Sequence, residues 1–491
     1  MINDAPSSTL PSKVVPAILK LASRPRGRLA TLAIRIGFVA VVVLALLHLR
    51  IYLPELPDGA RLHQWTWNPE MENSPIHGSA KDAVCAPFSG LERVVITVKT
   101  GATEATQRLP LQMETTLRCA PHVYHYSDMA QRIGNLEVYD ALAETADEIK
   151  DGNPDFDIYR KQQELKDPEK IVSQLKSMKS PPDSNDLAAW TLDKYKNMHL
   201  VEKTWALKPN MDWYLHIDAD TYVFWPSFIE WVKRLDTKKD LFLGSMSYVG
   251  DNPFAHGGSG ILMSGEAMRT FAADHTGTAA RWDPEVHNNC CGDFLLAMAL
   301  KEYGIGPVMN SWPTLNGESQ NTVGFSDEHW CQPVVTLHHV SVDEMTEVGD
   351  FEDRRPNKNV RLPLPIPSYL SRITLADDSQ IPVTYEEIFR TLQANKFPER
   401  QKHWDNMAWG LEVQDVENME ACVALCIEDE KCFQAKFDGW ECTLGTGGFL
   451  LGQQRMPDGS KTWESYWNTT RIAAWVNGQK PCPAVVFPHQ H

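Results

Sequence analysis

Two short segments are apolar at almost every position, without the alternation expected of a half-exposed strand. They are Val94 to Val98 and Trp213 to Ile217. Such runs predict strands that are covered on both faces. Further strands are predicted at Val123 to Tyr126, Leu241 to Gly244, Ser259 to Met263 and Val334 to Leu337, and helices at Glu104 to Arg118, at Asp155 to Leu207 with a break near Pro181, and at Phe294 to Tyr303. Strands that alternate with helices predict an α/β domain with a mainly parallel sheet.

The second apolar run ends on two carboxylates, in Asp218-Ala219-Asp220. Ligands of parallel sheets bind at the carboxyl ends of strands. Two carboxylates at such an end suggest a site for Mg²⁺ or Mn²⁺, which in proteins most often binds the phosphates of a substrate. We expect Asp220 to contact the ion, and Asp218 to contact an ion-bound water or a ribose hydroxyl. The alternative is a turn in which Asp caps the backbone.

Three further positions are candidates for chemistry. Gly257-Gly258 offers a backbone that a ligand can approach closely, although a bulge or turn explains it equally. Asp293 opens a predicted helix, either as a general base facing a cleft or as a helix cap. His338 ends a predicted strand and could supply nitrogen to Mn²⁺, but the adjacent His339 leaves the choice of histidine open.

The N-terminal region predicts a membrane anchor. Residues 1–28 carry a charge of +4, so the net charge of −17 leaves −21 on the remainder. Residues 29–49 are apolar apart from Arg35 and His48, which suits one membrane span. The basic side is expected to stay cytoplasmic, which makes a type II topology. A cleaved signal peptide is the rival interpretation. The acidic remainder argues against nucleic-acid binding.

The cysteines favour an oxidising compartment. All ten follow the apolar segment, and no Cys-x-x-Cys pair is present, which argues for disulfides rather than zinc. Asn468-Thr469-Thr470 is a glycosylation acceptor. The partners of six cysteines stay open: Cys85, Cys119, Cys290, Cys291, Cys331 and Cys482.

The order of the domains follows from composition. We predict a cytoplasmic tail at 1–28, an anchor at 29–49, a stem at 50–84, an α/β domain at 85–345 that holds the candidate site, a Pro-rich linker or wrapping segment at 346–400 and a cysteine-dense module at 401–491.

Five local motifs together resemble a known family. They are Thr97-Val98-Lys99-Thr100, Trp213 to Val223 with its acidic triplet, Gly257 to Gly260, Cys291-Gly292-Asp293 and Leu337 to Ser341. Their order is similar to that of family 31 glycosyltransferases, in the Fringe and core 1 β1,3-galactosyltransferase branch and most closely a fungal group within it. The resemblance implies a GT-A fold and inverting transfer from a UDP-sugar.

The same resemblance implies roles for individual residues. Asp220 and His338 map to metal ligands, with Asp218 assisting at the nucleotide, and Asp293 maps to the catalytic base. Ala219 departs from the family's frequent Asp-Asp-Asp, which bears on donor preference. The predicted donor-binding residues are Lys99, Thr100, Asp128, Lys196, Asp218, Ala219, Gly257 and Gly258, and Lys194 is a further candidate.

The C-terminal cysteines are similar to those of PAN/apple modules. This resemblance suggests the nested pairs Cys422–Cys442 and Cys426–Cys432, although four cysteines allow three connectivities. Such modules bind proteins or carbohydrate. The alternative is a disulfide-stapled cap that only packs on the catalytic domain.

The sequence therefore predicts a Golgi-membrane, type II, Mn²⁺- or Mg²⁺-dependent enzyme with a β1,3-type linkage. Its acceptor is a glycan or glycoprotein hydroxyl, and a homodimer stays open. The rival hypothesis is a catalytically silent, lectin-like or scaffold protein that binds through its PAN-like module. A secreted glycosidase is disfavoured, because a phosphate-type metal site has no role in it.

Overall fold

The computed structural model describes residues 85, 88, 90–181, 185–355, 381–459 and 461–490. These residues all fall within one compact unit, Ile76–His491. The predicted tail at 1–28, anchor at 29–49 and stem at 50–84 lie outside the described residues. Among the residues that are described, no helix is long and apolar enough to cross a membrane.

The strands are short and run through both halves of the unit. In chain order they are β1 Val94–Lys99, β2 Val123–Ser127, β3 Gln131–Ile133, β4 Leu136–Asp140, β5 Trp213–Asp218, β6 Tyr222–Val223, β7 Phe242–Gly244, β8 Met246–Val249, β9 Asn252–Ala255, β10 Ile261–Ser264, β11 Met309–Asn310, β12 Thr336–Leu337, β13 Arg400–Lys402, β14 Trp404–Asp405, β15 Gly410–Val413, β16 Gln434–Phe437, β17 Cys442–Gly445, β18 Gln453–Gln454 and β19 Glu464–Trp467.

The helices are concentrated between β4 and β12. In chain order they are α1 Ala105–Glu114, α2 Asp147–Lys150, α3 Asp157–Leu165, α4 Pro168–Leu175, α5 Ala188–Asp193, α6 Lys196–Leu207, α7 Trp225–Val232, α8 Gly265–Met268, α9 Thr278–Val286, α10 Gly292–Glu302, α11 Val342–Arg354, α12 Tyr385–Ile388, α13 Met419–Glu428 and α14 Thr469–Gly478. Short 3₁₀-helices lie at Leu91–Arg93 and Pro154–Phe156, and π-helices at Arg269–Ala273 and Phe389–Gln393.

The catalytic part, as the region predicted at 85–345 is called below, is centred on an eight-stranded sheet. Its strand order is β11-β7-β10-β5-β1-β2-β4-β3. The centre is parallel, through β5, β1, β2 and β4, but β10 runs antiparallel to both β5 and β7, and β3 antiparallel to β4. The sheet is therefore mixed rather than mainly parallel. A mixed α/β architecture of this kind is consistent with a GT-A-like fold.

Both faces of the sheet are covered, as the uninterrupted apolar runs of β1 and β5 predict. Because side chains alternate along a strand, Val95 and Tyr214 enter one buried cluster, together with the helices α3, α5 and α6. Their neighbours Ile96 and Leu215 enter a second cluster on the opposite face, with α1 and α7. Because helices cover both faces of the sheet, a ligand can reach it at the ends of the strands.

The C-terminal region is built on an antiparallel sheet of order β13-β19-β16-β17-β15, with α13 packed on it. Disulfides join Cys422 to Cys442 and Cys426 to Cys432. The remaining cysteines pair as Cys85–Cys119, Cys290–Cys291 and Cys331–Cys482.

The C-terminal region shares a core with the catalytic part. One buried cluster combines Phe224 and Trp330 of the catalytic part with Phe449 and Trp467 of the C-terminal region. The backbones of Phe325 and Phe449 exchange two hydrogen bonds, of 2.8 and 3.0 Å. The C-terminal region therefore packs directly on the catalytic part. The boundary predicted at residue 345 falls inside helix α11. The apolar face of this helix, including Val348, is buried in the same cluster, so the helix belongs to the shared core.

Candidate active site

The site begins where β1 and β5 end side by side. Lys99 and Asp218 are register partners on these parallel strands, and the Lys99 Nζ lies 3.3 Å from Asp218 Oδ1. Lys99 also forms an ion pair with Asp193, at the end of α5. Burial acts to lower the pKa of Lys99, but Asp193 and Asp218 outweigh it and raise that pKa. The lysine is therefore charged and fixed at the floor of the site.

A small antiparallel pairing brings His338 to the acidic triplet. Strand β6 begins two residues after Asp220 and pairs with β12, which ends one residue before His338. The Val340 N–H then donates to the Asp220 carbonyl over 3.0 Å. As a result, His338 Nε2 lies 3.2 Å from Asp220 Oδ1 and 3.9 Å from Asp218 Oδ2.

His339 completes a set of potential metal ligands. Its Nδ1 lies 3.8 Å from Asp220 Oδ2, and the ring packs against that of His338 with centroids 3.8 Å apart. One ligand atom from each of Asp220, His338 and His339 falls within 4.8 Å of the others. One carboxylate and two imidazoles fit a transition-metal ion such as Mn²⁺ better than Mg²⁺, which prefers oxygen. The backbone of His339 adopts the left-handed region, with φ at 54°.

The carboxylates carry opposite pKa shifts. Burial raises the pKa of Asp218 to about 6, although Lys99 opposes this shift. Burial also acts to raise the pKa of Asp220, but hydrogen bonds from His338 and His339 hold it well below its usual range. Asp218 Oδ1 is buried and has the lysine beside it but no hydrogen bond. A divalent cation would satisfy this excess of buried negative charge.

Gly258 is required by the position of His338. A Cβ atom at this residue would overlap the His338 imidazole. The Gly258 carbonyl in turn accepts a 2.7 Å hydrogen bond from Thr221 Oγ1, which lies directly after the triplet. At Gly258, the group that comes close to the backbone is therefore the His338 side chain, which belongs to the site itself.

Asp293 faces the same cleft from the first turn of α10. Its Oδ2 accepts the Gly257 N–H over 2.8 Å, and its Oδ1 accepts the Phe294 N–H over 2.9 Å. Each oxygen keeps a further lone pair, so the carboxylate can still accept a proton. Two backbone N–H donors fix the orientation of the Asp293 carboxylate and leave a lone pair on each oxygen for a further hydrogen bond.

Two predicted donor contacts, Lys196 and Asp128, are fully buried and engaged with the protein itself. Lys196 is fully buried, and its Nζ donates to the Thr100 carbonyl over 2.8 Å and lies 3.6 Å from Asp128 Oδ2. Asp128, also fully buried, accepts the Ala102 N–H over 2.6 Å. Both residues hold the loop after β1 in place. Lys194 is likewise engaged, 3.0 Å from Asp155.

The structure differs from the sequence prediction at Ala219. Its side chain is 2 % exposed and belongs to the apolar cluster on the far face of the sheet. Its N–H donates to the Lys99 carbonyl over 2.9 Å. Asp218 and Asp220 line the cleft, whereas the Ala219 side chain points away from it into the core.

The charged residues and histidines of the site line a cleft of about 520 Å³. It brings together Asp218, Asp220, Asp293 and His338, which are up to 120 positions apart in the chain. Sequence reasoning missed three groups in its walls: Asp193, Trp190 and the Cys290–Cys291 disulfide. The spacing of Asp193 from Lys196, one helical turn, was a usable signal.

Comparison with known families agrees with this architecture. Residues 89–303 match the family model described as Fringe-like. The match supports a family 31, Fringe-type glycosyltransferase, a class that is generally metal-dependent. It spans β1 to α10 and therefore includes the acidic triplet and Asp293, whereas His338 and His339 lie beyond it. Among curated proteins, none matches the chain.

The Fringe-like domain covers less than half of the chain. The C-terminal sheet and the segment that carries both histidines are outside the matched range. The contribution of the two histidines to the site therefore rests on the geometry alone.

Proposed function

We propose that this protein is an inverting glycosyltransferase that moves a sugar from a UDP-sugar to a hydroxyl of a glycan or glycoprotein, with a β1,3-type linkage. The observation that carries the proposal is the meeting of Asp218, Asp220, His338 and Asp293 in one cleft at the carboxyl edge of the sheet. A metal-ligand set beside a separate, oriented carboxylate is what such a reaction requires.

The metal ligands in this proposal are Asp220, His338 and His339, with Asp218 and Lys99 beside the nucleotide. The donor set favours Mn²⁺, and a bound ion would act as a Lewis acid toward the departing UDP. Lys99 adds a fixed positive charge 3.3 Å from Asp218, at the side of the cleft where the diphosphate would lie.

Asp293 is the proposed general base. Its carboxylate takes the proton of the acceptor hydroxyl while that oxygen attacks the sugar carbon from the side opposite to UDP. One displacement of this kind inverts the configuration and needs no covalent nucleophile. The hydrogen bonds from the backbone of Gly257 and Phe294 keep the base in one orientation during the transfer.

The test is a panel of UDP-sugars with Mn²⁺, Mg²⁺ or EDTA, followed by thermal unfolding and by release of UDP. We expect one donor to raise the melting temperature only with metal, because a ligand that binds the native state stabilises it. Asp220→Asn should abolish that rise, whereas Asp251→Asn, at an exposed hairpin turn, should keep it.

Asp293→Asn separates binding from chemistry. We expect transfer to fall by about 10²- to 10⁴-fold, the usual contribution of a general base, with donor-dependent stabilisation retained. If no UDP-sugar stabilises or turns over, while the C-terminal region (residues 401–491) of the intact protein binds glycans, the lectin-like alternative replaces the enzyme.

We also propose a lumenal, Golgi location behind a type II anchor at residues 29–49. The support is the pairing of all ten cysteines in disulfides, which persist in oxidising compartments. Asn468, the predicted glycosylation acceptor, is half-buried and caps α14 through its side-chain oxygen. Protease protection of an epitope at the C-terminus in sealed microsomes tests the location; a cleaved epitope contradicts it.

A further inference from the structure

Two large apolar side chains are exposed in the wall of the cleft. Trp190 is 63 % exposed and Leu187 is 42 % exposed, and both line the cavity that contains Asp293. Exposed apolar surface inside a cleft is unfavourable in water and is typical of a place that a ligand covers. Neither residue has a role in metal or donor binding as described above.

The direction of Trp190 is fixed by its helix. In α5, Ala188 and Leu192 are fully buried against the core, which leaves the opposite face for Trp190. The last residue of the helix, Asp193, pairs with Lys99 and lies 3.2 Å from Lys196 Nζ. The helix is therefore anchored at the cleft floor, and Trp190 lies one turn outward along the wall.

The same wall adjoins the proposed base. Gly292 contacts the carbonyl of Lys194 and the amide of Asn197 so closely that a Cβ atom would overlap both. The start of α10, with Asp293, is thus packed on the junction of α5 and α6, next to the turn that carries Trp190. The exposed Cys290, in its disulfide with Cys291, lines the same cleft directly before α10.

The cleft has a charged floor and an apolar stretch of wall. The floor holds the ion pairs of Lys99 and suits a diphosphate. The wall carries the exposed side chains of Trp190 and Leu187 and the disulfide, with the exposed Lys176 also among the lining residues. Because the group that must reach Asp293 is the acceptor hydroxyl, the ligand that covers this stretch of wall is the acceptor.

We infer that Trp190, with Leu187 and the Cys290–Cys291 disulfide, forms an acceptor subsite, and that the acceptor is a glycan whose sugar ring packs on the indole. One face of a pyranose presents C–H groups, which suit an aromatic surface, while its hydroxyls stay in water. This inference rests on the proposed function. A uracil ring has a similar flat shape, and the experiment distinguishes the two.

The experiment compares the full-length protein with Trp190→Ala and Trp190→Phe. Saturation-transfer NMR with UDP and Mn²⁺ follows binding of the p-nitrophenyl glycosides of galactose, N-acetylgalactosamine, mannose and fucose. Transfer kinetics follow the KM of a glycoside that binds, and thermal shift follows UDP with Mn²⁺. Trp440→Ala is the control, since Trp440 is 65 % exposed but lies on the hairpin between β16 and β17.

We expect at least one glycoside to bind the wild type, and Trp190→Ala to raise its KM by about tenfold, consistent with the energy of an aromatic contact. Trp190→Phe should recover part of that loss, and UDP stabilisation should not change in any variant.

The inference is overturned if no glycoside binds the wild type, or if Trp190→Ala weakens UDP stabilisation and leaves the glycoside KM unchanged. If UDP and UDP-sugars fail to bind the wild type at all, the proposed function fails first.

Discussion

Gly258 shows how a single residue controls the site. The space that a side chain would need here is occupied by the His338 imidazole. We predict that Gly258→Ala displaces His338 from Asp220 and lowers metal-dependent transfer by at least about tenfold, with loss of the Mn²⁺-dependent rise in melting temperature with UDP. Gly478→Ala is a matched control, because nothing lies within 4 Å of its added Cβ. Retained metal response in Gly258→Ala would contradict the prediction.

At the scale of residues, the sequence indicated which residue types could carry the chemistry but not which way each side chain faces. Asp218, Asp220 and Asp293 could be singled out because carboxylates at strand ends and helix starts are typical of sites. The direction of each side chain depends on packing. The Ala219 side chain is part of the core. The sequence left open which histidine belongs to the site, and both His338 and His339 lie beside Asp220.

At the scale of elements, buried Lys196 connects three of them. It joins the ends of β1 and β2 to α5 through Thr100, Asp128 and Asp193. We predict that Lys196→Met lowers the free energy of unfolding by about 3–5 kcal/mol, because it leaves the buried Asp128 carboxylate without its cationic partner. Urea denaturation measures this. Lys431→Met, at an exposed position, should change stability by less than about 0.5 kcal/mol. Equal effects would show that Lys196 is not a structural connection.

Strand β2 carries a buried histidine that makes stability depend on pH. Burial lowers the pKa of His125 to about 4, from 6.5 when unfolded. Between these values the unfolded chain binds more protons, so stability is complete above pH 6.5 and falls as pH decreases toward 4. We predict that His125→Leu removes up to about 3 kcal/mol of this pH dependence. His403→Asn, exposed and tolerant of its positive φ, should keep the wild-type slope.

The elements themselves were largely predictable. The continuous apolar runs predicted β1 and β5 to within one residue, because a strand buried on both faces has no polar alternation. The mixed order of the sheet was not predictable, because the reversal at β10 depends on which strand it pairs with rather than on its own composition.

At the scale of the whole molecule, the C-terminal region stabilises the catalytic part. The Cys331–Cys482 disulfide closes a separation of 151 residues and lies beside the shared aromatic core. We predict that Cys331→Ala with Cys482→Ala lowers stability by about 2–5 kcal/mol, since a long loop regains its entropy in the unfolded state. Denaturant unfolding tests this. Cys290→Ala with Cys291→Ala should cost much less, because that bond joins neighbours in sequence. The reverse order would contradict the explanation.

The sequence by itself determined the α/β class, the strands buried on both faces and the carboxylates at their ends, because these depend on local periodicity and residue type. Only the tertiary structure decided which side chains face the cleft, how β6 and β12 bring two histidines to Asp220, and that the C-terminal sheet completes a core of the catalytic part. These features depend on contacts between residues more than a hundred positions apart, and local sequence does not encode such pairings.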